Sequence, residues 1–194
     1  MKYHFSGVAG QGMNPLARLM RAWGHVVQGS DRAFDQGKQR DLAATLTSLG
    51  IRLVPQDGAA VTADLQRFVY STAVESDTLE VRAARSFGIE RVPRPALLAE
   101  VVNGGAPGVA VAGTSGKSTV TGMIGWILRS ASVSATVVGG AALVGEGVAC
   151  CFAAGPRKGV VVAEACESDG TLVGYIFRFR RALNNSNCGS LKKS

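Results

Sequence analysis

The apolar positions along this chain change period again and again. Short apolar runs, each four to six residues long, alternate with stretches in which apolar residues recur every three or four positions. "KYHFSGV" reads as a strand and "PLARLMRAWG" as a helix with Leu16, Leu19, Met20 and Trp23 on one face. Pro15 suits the first helical turn and Gly24 the helix end. "HVVQGSD" reads as the next strand. Then come the helix "DLAATLTSLG", the strands "IRLVP" and "RFVYST", the helix "DTLEVRAARSFG", the strand "IERVP" and the helix "RPALLAEVVN". Strands that alternate with helices predict a parallel α/β sheet with right-handed crossovers.

Near Asn103 the texture changes. "NGGAPG" has the chemistry of a turn or linker. A second alternating run follows: strand "VAVAG", helix "KSTVTGMIGWILRSA", strand "ATVVGG" and strand "GVVVAEA". The expected fold class is therefore α/β, with a Rossmann-like parallel-sheet domain over 1–105 and a partial P-loop-type α/β domain over 106–194. After Tyr175 the pattern breaks down into "IFRFRRALNNSNCGSLKKS".

Charge adds little. The chain of 194 residues carries a formal +7, but five of those charges, Arg178, Arg180, Arg181, Lys192 and Lys193, fall in a stretch without acids from Gly170 onward. That location predicts a solvated basic tail, and nucleic acid is not the expected partner. Cys150, Cys151, Cys166 and Cys188 lack C-x-x-C spacing, which predicts neither a zinc site nor a disulfide framework. The start has no apolar run of signal-peptide length, and no segment is apolar for 18 residues. A cytoplasmic setting without membrane contact is expected.

The candidate chemistry sits in three places. In "AVAGTSGKST", Gly113, Thr114, Ser115, Gly116, Lys117, Ser118 and Thr119 form a turn from a strand into a helix. Backbone N–H groups at such a turn converge on phosphate oxygens, a lysine reaches the outer phosphates, and a serine hydroxyl can ligate magnesium. Val111 stands where the usual G-x-x-x-x-G-K-[ST] pattern has its first glycine. A hydrolase elbow, G-x-S-x-G around Ser115, fails at Lys117, and the two histidines, His4 and His25, lie in the other half. In "VVVAEACESDG", Glu164 ends a buried strand, where a carboxylate can hold magnesium against ATP phosphates. In "GVAGQGM", the glycines are spaced G-x-x-G-x-G rather than G-x-G-x-x-G, but still permit close backbone approach to a diphosphate. Asp31, after the second strand, either caps a turn or reaches a sugar or base.

Taken together, "HFSGVAGQGMNPLARLMRAWGHVVQGSD", "VYSTAV", "AGTSGKST" and "AEACESDGTL" resemble motifs of the Mur ligase family, in that order, over residues 1 to about 175. The family's ATP loop has the form G-T-x-G-K-[ST], so Val111 is compatible with it. The resemblance implies ATP-dependent amide formation, in which the carboxylate of UDP-N-acetylmuramate becomes an acyl-phosphate and is attacked by the amine of L-alanine. It implies ATP binding at residues 113–119 with Lys117 as the catalytic cation, and Mg2+ at Ser118 and Glu164. It also implies UDP-sugar binding around Gly10, Gly12, Met13, Asp31, Ser71 and Thr72.

Members of the family are more than twice as long and carry a third domain that closes over ATP and positions the amino acid. The L-alanine site is thus expected to lie outside these residues. The family's N-x-x-x-D-H stretch is replaced by "LNNSNCGSLKKS", with no histidine after His25. The chain by itself is expected to bind ligands with little or no ligation. Two other readings stay open on sequence: a non-catalytic UDP-sugar or nucleotide-binding module, and a generic P-loop ATPase.

Overall fold

A computed structural model of the chain describes residues 1–71, 77–104, 107–140, 152–157 and 159–165. The first sheet is built from β1 (Lys2–Ser6), β2 (Val26–Ser30), β3 (Arg52–Val54), β4 (Arg67–Tyr70) and β5 (Glu90–Pro93). All five strands are parallel, in the order β3-β2-β1-β4-β5. The crossovers carry α1 (Met13–Ala22), a four-residue α2 (Arg32–Asp35), α3 (Arg40–Ser48) and α4 (Leu79–Ser86), and α5 (Arg94–Gly104) follows β5.

Helix α1 starts two residues before the expected Pro15, and its inward face is the predicted one. Leu16, Leu19 and Met20 are buried together with Met13, while Trp23, just past the helix end, is half-buried. Burying side chains of this size stabilises by about 1.5–3 kcal/mol each. Gly29 in β2 is required by close packing: a Cβ there would lie 2.8 Å from Cβ of the fully buried Val8.

A second sheet has the order β6-β9-β7-β8, from β6 (Gly108–Val111), β7 (Ala135–Val138), β8 (Phe152–Ala153) and β9 (Val160–Glu164). β6, β9 and β7 are parallel, and β8 adds an antiparallel edge that sequence reasoning did not foresee. Helix α6 (Lys117–Ser130) packs on β7 and β9 through Thr121, Gly122 and Gly125. A Cβ on Gly125 would meet Val137 Cγ2 at 2.9 Å, so the glycine lets helix and strand approach.

The boundary expected at about residue 106 falls between α5 and β6. Helix α5 packs against β4 and β5 on one side and β6 and β9 on the other. Its Leu97, Leu98, Val101 and Val102 share one apolar cluster with Val138, Val161 and Ala163 of the second sheet. Trp23 Nε1 also donates to the Gly155 carbonyl at 3.1 Å, with the Arg157 guanidinium 5.6 Å from the indole centre. Among the described residues no helix is long and apolar enough to cross a membrane. The basic tail and the four cysteines lie outside the described residues.

Candidate functional site

In a parallel sheet the loops that follow the strands gather at one edge, and ligands bind there. Both sheets present candidate residues at that edge. In the second sheet, β6 leads into the loop at 112–116. Val111 is a strand residue whose carbonyl accepts the Ala165 N–H at 2.9 Å, so no glycine is needed there. The turn is made by Gly113 (φ +150°) and Gly116 (φ +77°), conformations that favour glycine.

Gly116 is the N-cap of α6 and supplies no side-chain cap. An α-helix leaves its first N–H groups without intrahelical partners, and here they face the loop. Thr114, Ser115, Gly116 and Thr119 are exposed, and Gly113, Lys117 and Ser118 are half-buried. Lys117 Nζ folds back and donates to the Gly113 carbonyl at 2.6 Å.

Glu164, the last residue of β9, lies between β6 and β7 at this edge. Its Oε2 accepts from Ser118 Oγ at 2.9 Å and from the Gly140 N–H, just past β7, at 3.0 Å. Ser118 and Glu164, 46 positions apart in sequence, are thus brought together. Two hard oxygen donors beside a phosphate-type loop suit Mg2+, which commonly takes one or two protein oxygens and completes its shell with phosphates and water. No cluster of three or more His, Cys, Asp or Glu side chains that could hold a metal alone occurs among the described residues.

The first sheet offers a separate site. Its strand order reverses between β1 and β4, so the loops after these strands flank a crevice. After β1 the chain turns at Gly7 (φ +81°), and the N–H groups of Gly7 and Val8 donate to the Ser30 carbonyl at 2.9 and 3.0 Å. Gly10 is exposed and Gly12 half-buried. A Cβ on Gly12 would lie 3.0 Å from Cδ and Nη1 of Arg94, so this arginine rests against the loop. Met13 is buried in the core and only its backbone belongs to the loop, with its N–H donating to the Gly10 carbonyl.

Asp31 takes the capping role anticipated for it and adds a bond to the glycine loop. Its Oδ1 caps α2 by accepting from Ala33 N, and its Oδ2 accepts from Ala9 N of the glycine loop, each at 2.9 Å. Ser71, half-buried, follows β4. Thr72 lies outside the described residues.

Sequence reasoning missed what lies beneath this site. His4 and Glu80 are fully buried and bonded, His4 Nε2 to Glu80 Oε1 at 2.8 Å. The Glu80 carboxylate also accepts from Ser6 Oγ at 2.6 Å and Ser30 Oγ at 2.5 Å. Gln28 Nε2 donates to the Ala60 carbonyl at 2.7 Å, which fixes the amide orientation, and it also donates to His4 Nδ1 at 3.1 Å. Nδ1 is therefore an acceptor and Nε2 carries the proton. Burial would push the Glu80 carboxyl up, but the hydrogen bonds from His4, Ser30 and Ser6 outweigh it and hold it below the usual range. His4, engaged here, and His25, beside Arg157 and Tyr3, are not partners for Ser115.

Comparison with known proteins identifies the relatives of this chain. A sequence model described as "Mur ligase family, catalytic domain" matches residues 2–105. The chain is 39% identical over 173 residues to the UDP-N-acetylmuramate–L-alanine ligase of Leptothrix cholodnii, covering 89% of this chain and 35% of that protein. It is 38% identical to the enzyme of the same name from Solidesulfovibrio magneticus, covering 89% and 36%. The chain thus spans about a third of the length of the curated relatives it matches.

Among solved structures it is similar to a UDP-N-acetylmuramate-alanine ligase from Thermotoga maritima (TM-score 0.68, 28% identity, 84% of this chain and 36% of that one). It is also similar to a murein peptide ligase from Psychrobacter arcticus (TM-score 0.70, 26% identity, 86% and 38%).

Proposed function

Since the chain belongs to the Mur ligase family, as the match over residues 2–105 establishes, we propose that it holds the UDP-sugar site and the ATP loop of a UDP-N-acetylmuramate–L-alanine ligase of peptidoglycan synthesis. The observation that carries this reading is the convergence of Lys117, Ser118 and Glu164 on the mouth of one glycine loop. In this reading the chain has two units, 1–105 for the UDP-sugar and 106–194 for ATP.

ATP would lie with its outer phosphates against the N–H groups at the start of α6. Lys117 would leave the Gly113 carbonyl and place its ammonium on those phosphates, where charge is greatest. Ser118 Oγ and Glu164 would hold Mg2+, and the ion when bound would neutralise charge on the phosphoryl group being transferred. Binding it requires that Ser118 turn its lone pairs outward and give up its hydrogen bond to the carboxylate.

The muramyl carboxylate would receive the outer phosphoryl group of ATP with release of ADP, and the alanine amine would then attack the acyl carbon and expel phosphate. In the first unit the exposed backbone at Gly10 and Gly12 would meet the UDP diphosphate, with Arg94 supplying positive charge beside it. Asp31, Ser71 and Thr72 would border the nucleotide. A cytoplasmic setting, where ATP is present, belongs to the same reading.

Amide formation also requires the amine to be held against the acyl-phosphate, and such positioning is worth roughly 7–11 kcal/mol of barrier. We assign that positioning to parts of the full-length relatives beyond the stretch matched here. The 194 residues taken alone are expected to bind both ligands and to form little amide product. Incubation with ATP, Mg2+, L-alanine and UDP-N-acetylmuramate, followed by phosphate release and product mass, tests this, with Lys117→Ala as the control. Robust product that vanishes in Lys117→Ala would overturn the division of labour. Equal Mg-ATP binding by the two proteins would overturn the phosphate role of the loop.

A further inference from the structure

One buried carboxylate on α4 joins the ends of the two strands that lead into the glycine loop and the Asp31 turn. Ser6 ends β1 and directly precedes Gly7, and Ser30 ends β2 and directly precedes Asp31. Glu80 sits in the first turn of α4, the helix that follows β4 and Ser71. Its two oxygens accept from Ser6 Oγ, Ser30 Oγ and His4 Nε2 at 2.6, 2.5 and 2.8 Å.

From there the connection to the loop is immediate. The Ser30 carbonyl accepts the N–H groups of Gly7 and Val8, and Asp31 accepts that of Ala9. Filling this space would not call for a charge. An apolar side chain of similar volume fills a core at least as well as a buried, hydrogen-bonded ion. What the carboxylate adds is direction, since its partners must approach along its lone pairs. Two of those partners, Ser6 and Ser30, are the last residues of adjacent strands.

We infer that Glu80 is the positioning residue of the first site, holding the glycine loop and the Asp31 turn in one arrangement for a nucleotide-diphosphate sugar. It touches no ligand, and it acts through Ser6 and Ser30. The ligand named here rests on the reading given under Proposed function.

The test uses the full chain without ligand first. Amide hydrogen exchange is followed over residues 5–14 and 29–34 in wild type, Glu80→Ala, Glu80→Gln and a reference core variant, Leu46→Ala. Leu46 is fully buried on α3, which carries none of these bonds. Exchange at Gly7, Val8 and Ala9 should rise about tenfold or more in Glu80→Ala, the scale of one lost hydrogen bond to a charged group. It should rise less in Glu80→Gln, which keeps a hydrogen-bonding head, and no more than global destabilisation requires in Leu46→Ala.

In a second measurement, affinity for UDP-N-acetylmuramate should fall in the same order, with Mg-ATP affinity unchanged. If Glu80→Ala does not fold, Glu80→Gln and the Ser6→Ala/Ser30→Ala double variant carry the same comparison. Loop exchange in the Glu80 variants equal to that of Leu46→Ala at matched stability would overturn the inference. Failure of wild type to bind UDP-N-acetylmuramate would instead overturn the ligand reading, and the exchange data would still decide the role of Glu80.

Discussion

Removing the Glu164 carboxylate should separate the two components of ATP binding. In the free protein Glu164 Oε2 accepts two hydrogen bonds, from Ser118 Oγ at 2.9 Å and Gly140 N at 3.0 Å. Glu164 is half-buried, so solvent takes over part of what is lost, and Glu164→Ala should lower stability by only about 1–2 kcal/mol. Its effect on binding should be larger and conditional. Of the two side-chain oxygens proposed for the metal, the charged one disappears. The gain in ATP affinity on adding Mg2+ should then shrink by roughly 1.5–3 kcal/mol, about 10- to 150-fold at 25 °C. In the proposed reading ATP binding in EDTA rests on Lys117 and the loop N–H groups, so it should stay within about twofold, a difference well under 1 kcal/mol. Calorimetric titration of both proteins with ATP, in EDTA and in excess Mg2+, gives all four constants. A full magnesium-dependent gain in Glu164→Ala would refute the metal role. An equal loss in EDTA and in magnesium would mean that the carboxylate only shapes the loop.

Two further outcomes follow from the first sheet. Gly29→Ala would drive a methyl group to 2.8 Å from Val8 Cβ, and overpacking of this kind costs about 1–3 kcal/mol, so the thermal midpoint should drop by several degrees while ATP binding persists. An unchanged midpoint would show that Val8 can move aside. The lowered pKa of Glu80 makes the unfolded chain the better proton acceptor in acid, so its contribution is complete above the unfolded value of about 4.3 and is lost as pH falls through the folded value. Urea midpoints measured from pH 7 to 3 should therefore fall less steeply in Glu80→Gln than in wild type, and parallel slopes would contradict the assignment.

The strands and most helices were legible because their apolar period is set by local geometry. Leu16, Leu19 and Met20 sit on one face of α1 whatever that helix packs on, and the strand-glycine-lysine order at 109–117 carries its own turn. Elements that depend on partners distant in sequence left no such trace. Helix α2 is only four residues long and starts from the Asp31 cap, so no period could form. β8 exists by pairing with β7. Glu80 reads in sequence as one more polar residue on an amphipathic helix. Only the side-by-side placement of β1 and β2 brings Ser6, Ser30 and His4, 50 to 76 positions away, onto its carboxylate. A histidine between two aromatic residues of β1, with serines ending two neighbouring strands, was the one available hint. Asp31 shows the same limit: its cap on α2 was one of the roles its position suggested, but its bond to Ala9 N of the glycine loop, also at 2.9 Å, had no signal in the sequence.

The central claim, that the first sheet carries a nucleotide-diphosphate-sugar site, is tested most directly by titrating the full chain with UDP-N-acetylmuramate in a calorimeter. One molecule should bind per chain, without need of ATP, and binding should weaken about tenfold in Arg94→Ala, the loss expected for one charge-assisted contact to phosphate. No heat of binding from a chain that melts cooperatively, or equal affinity for UDP-N-acetylmuramate and for Mg-ATP competing at one site, would contradict it.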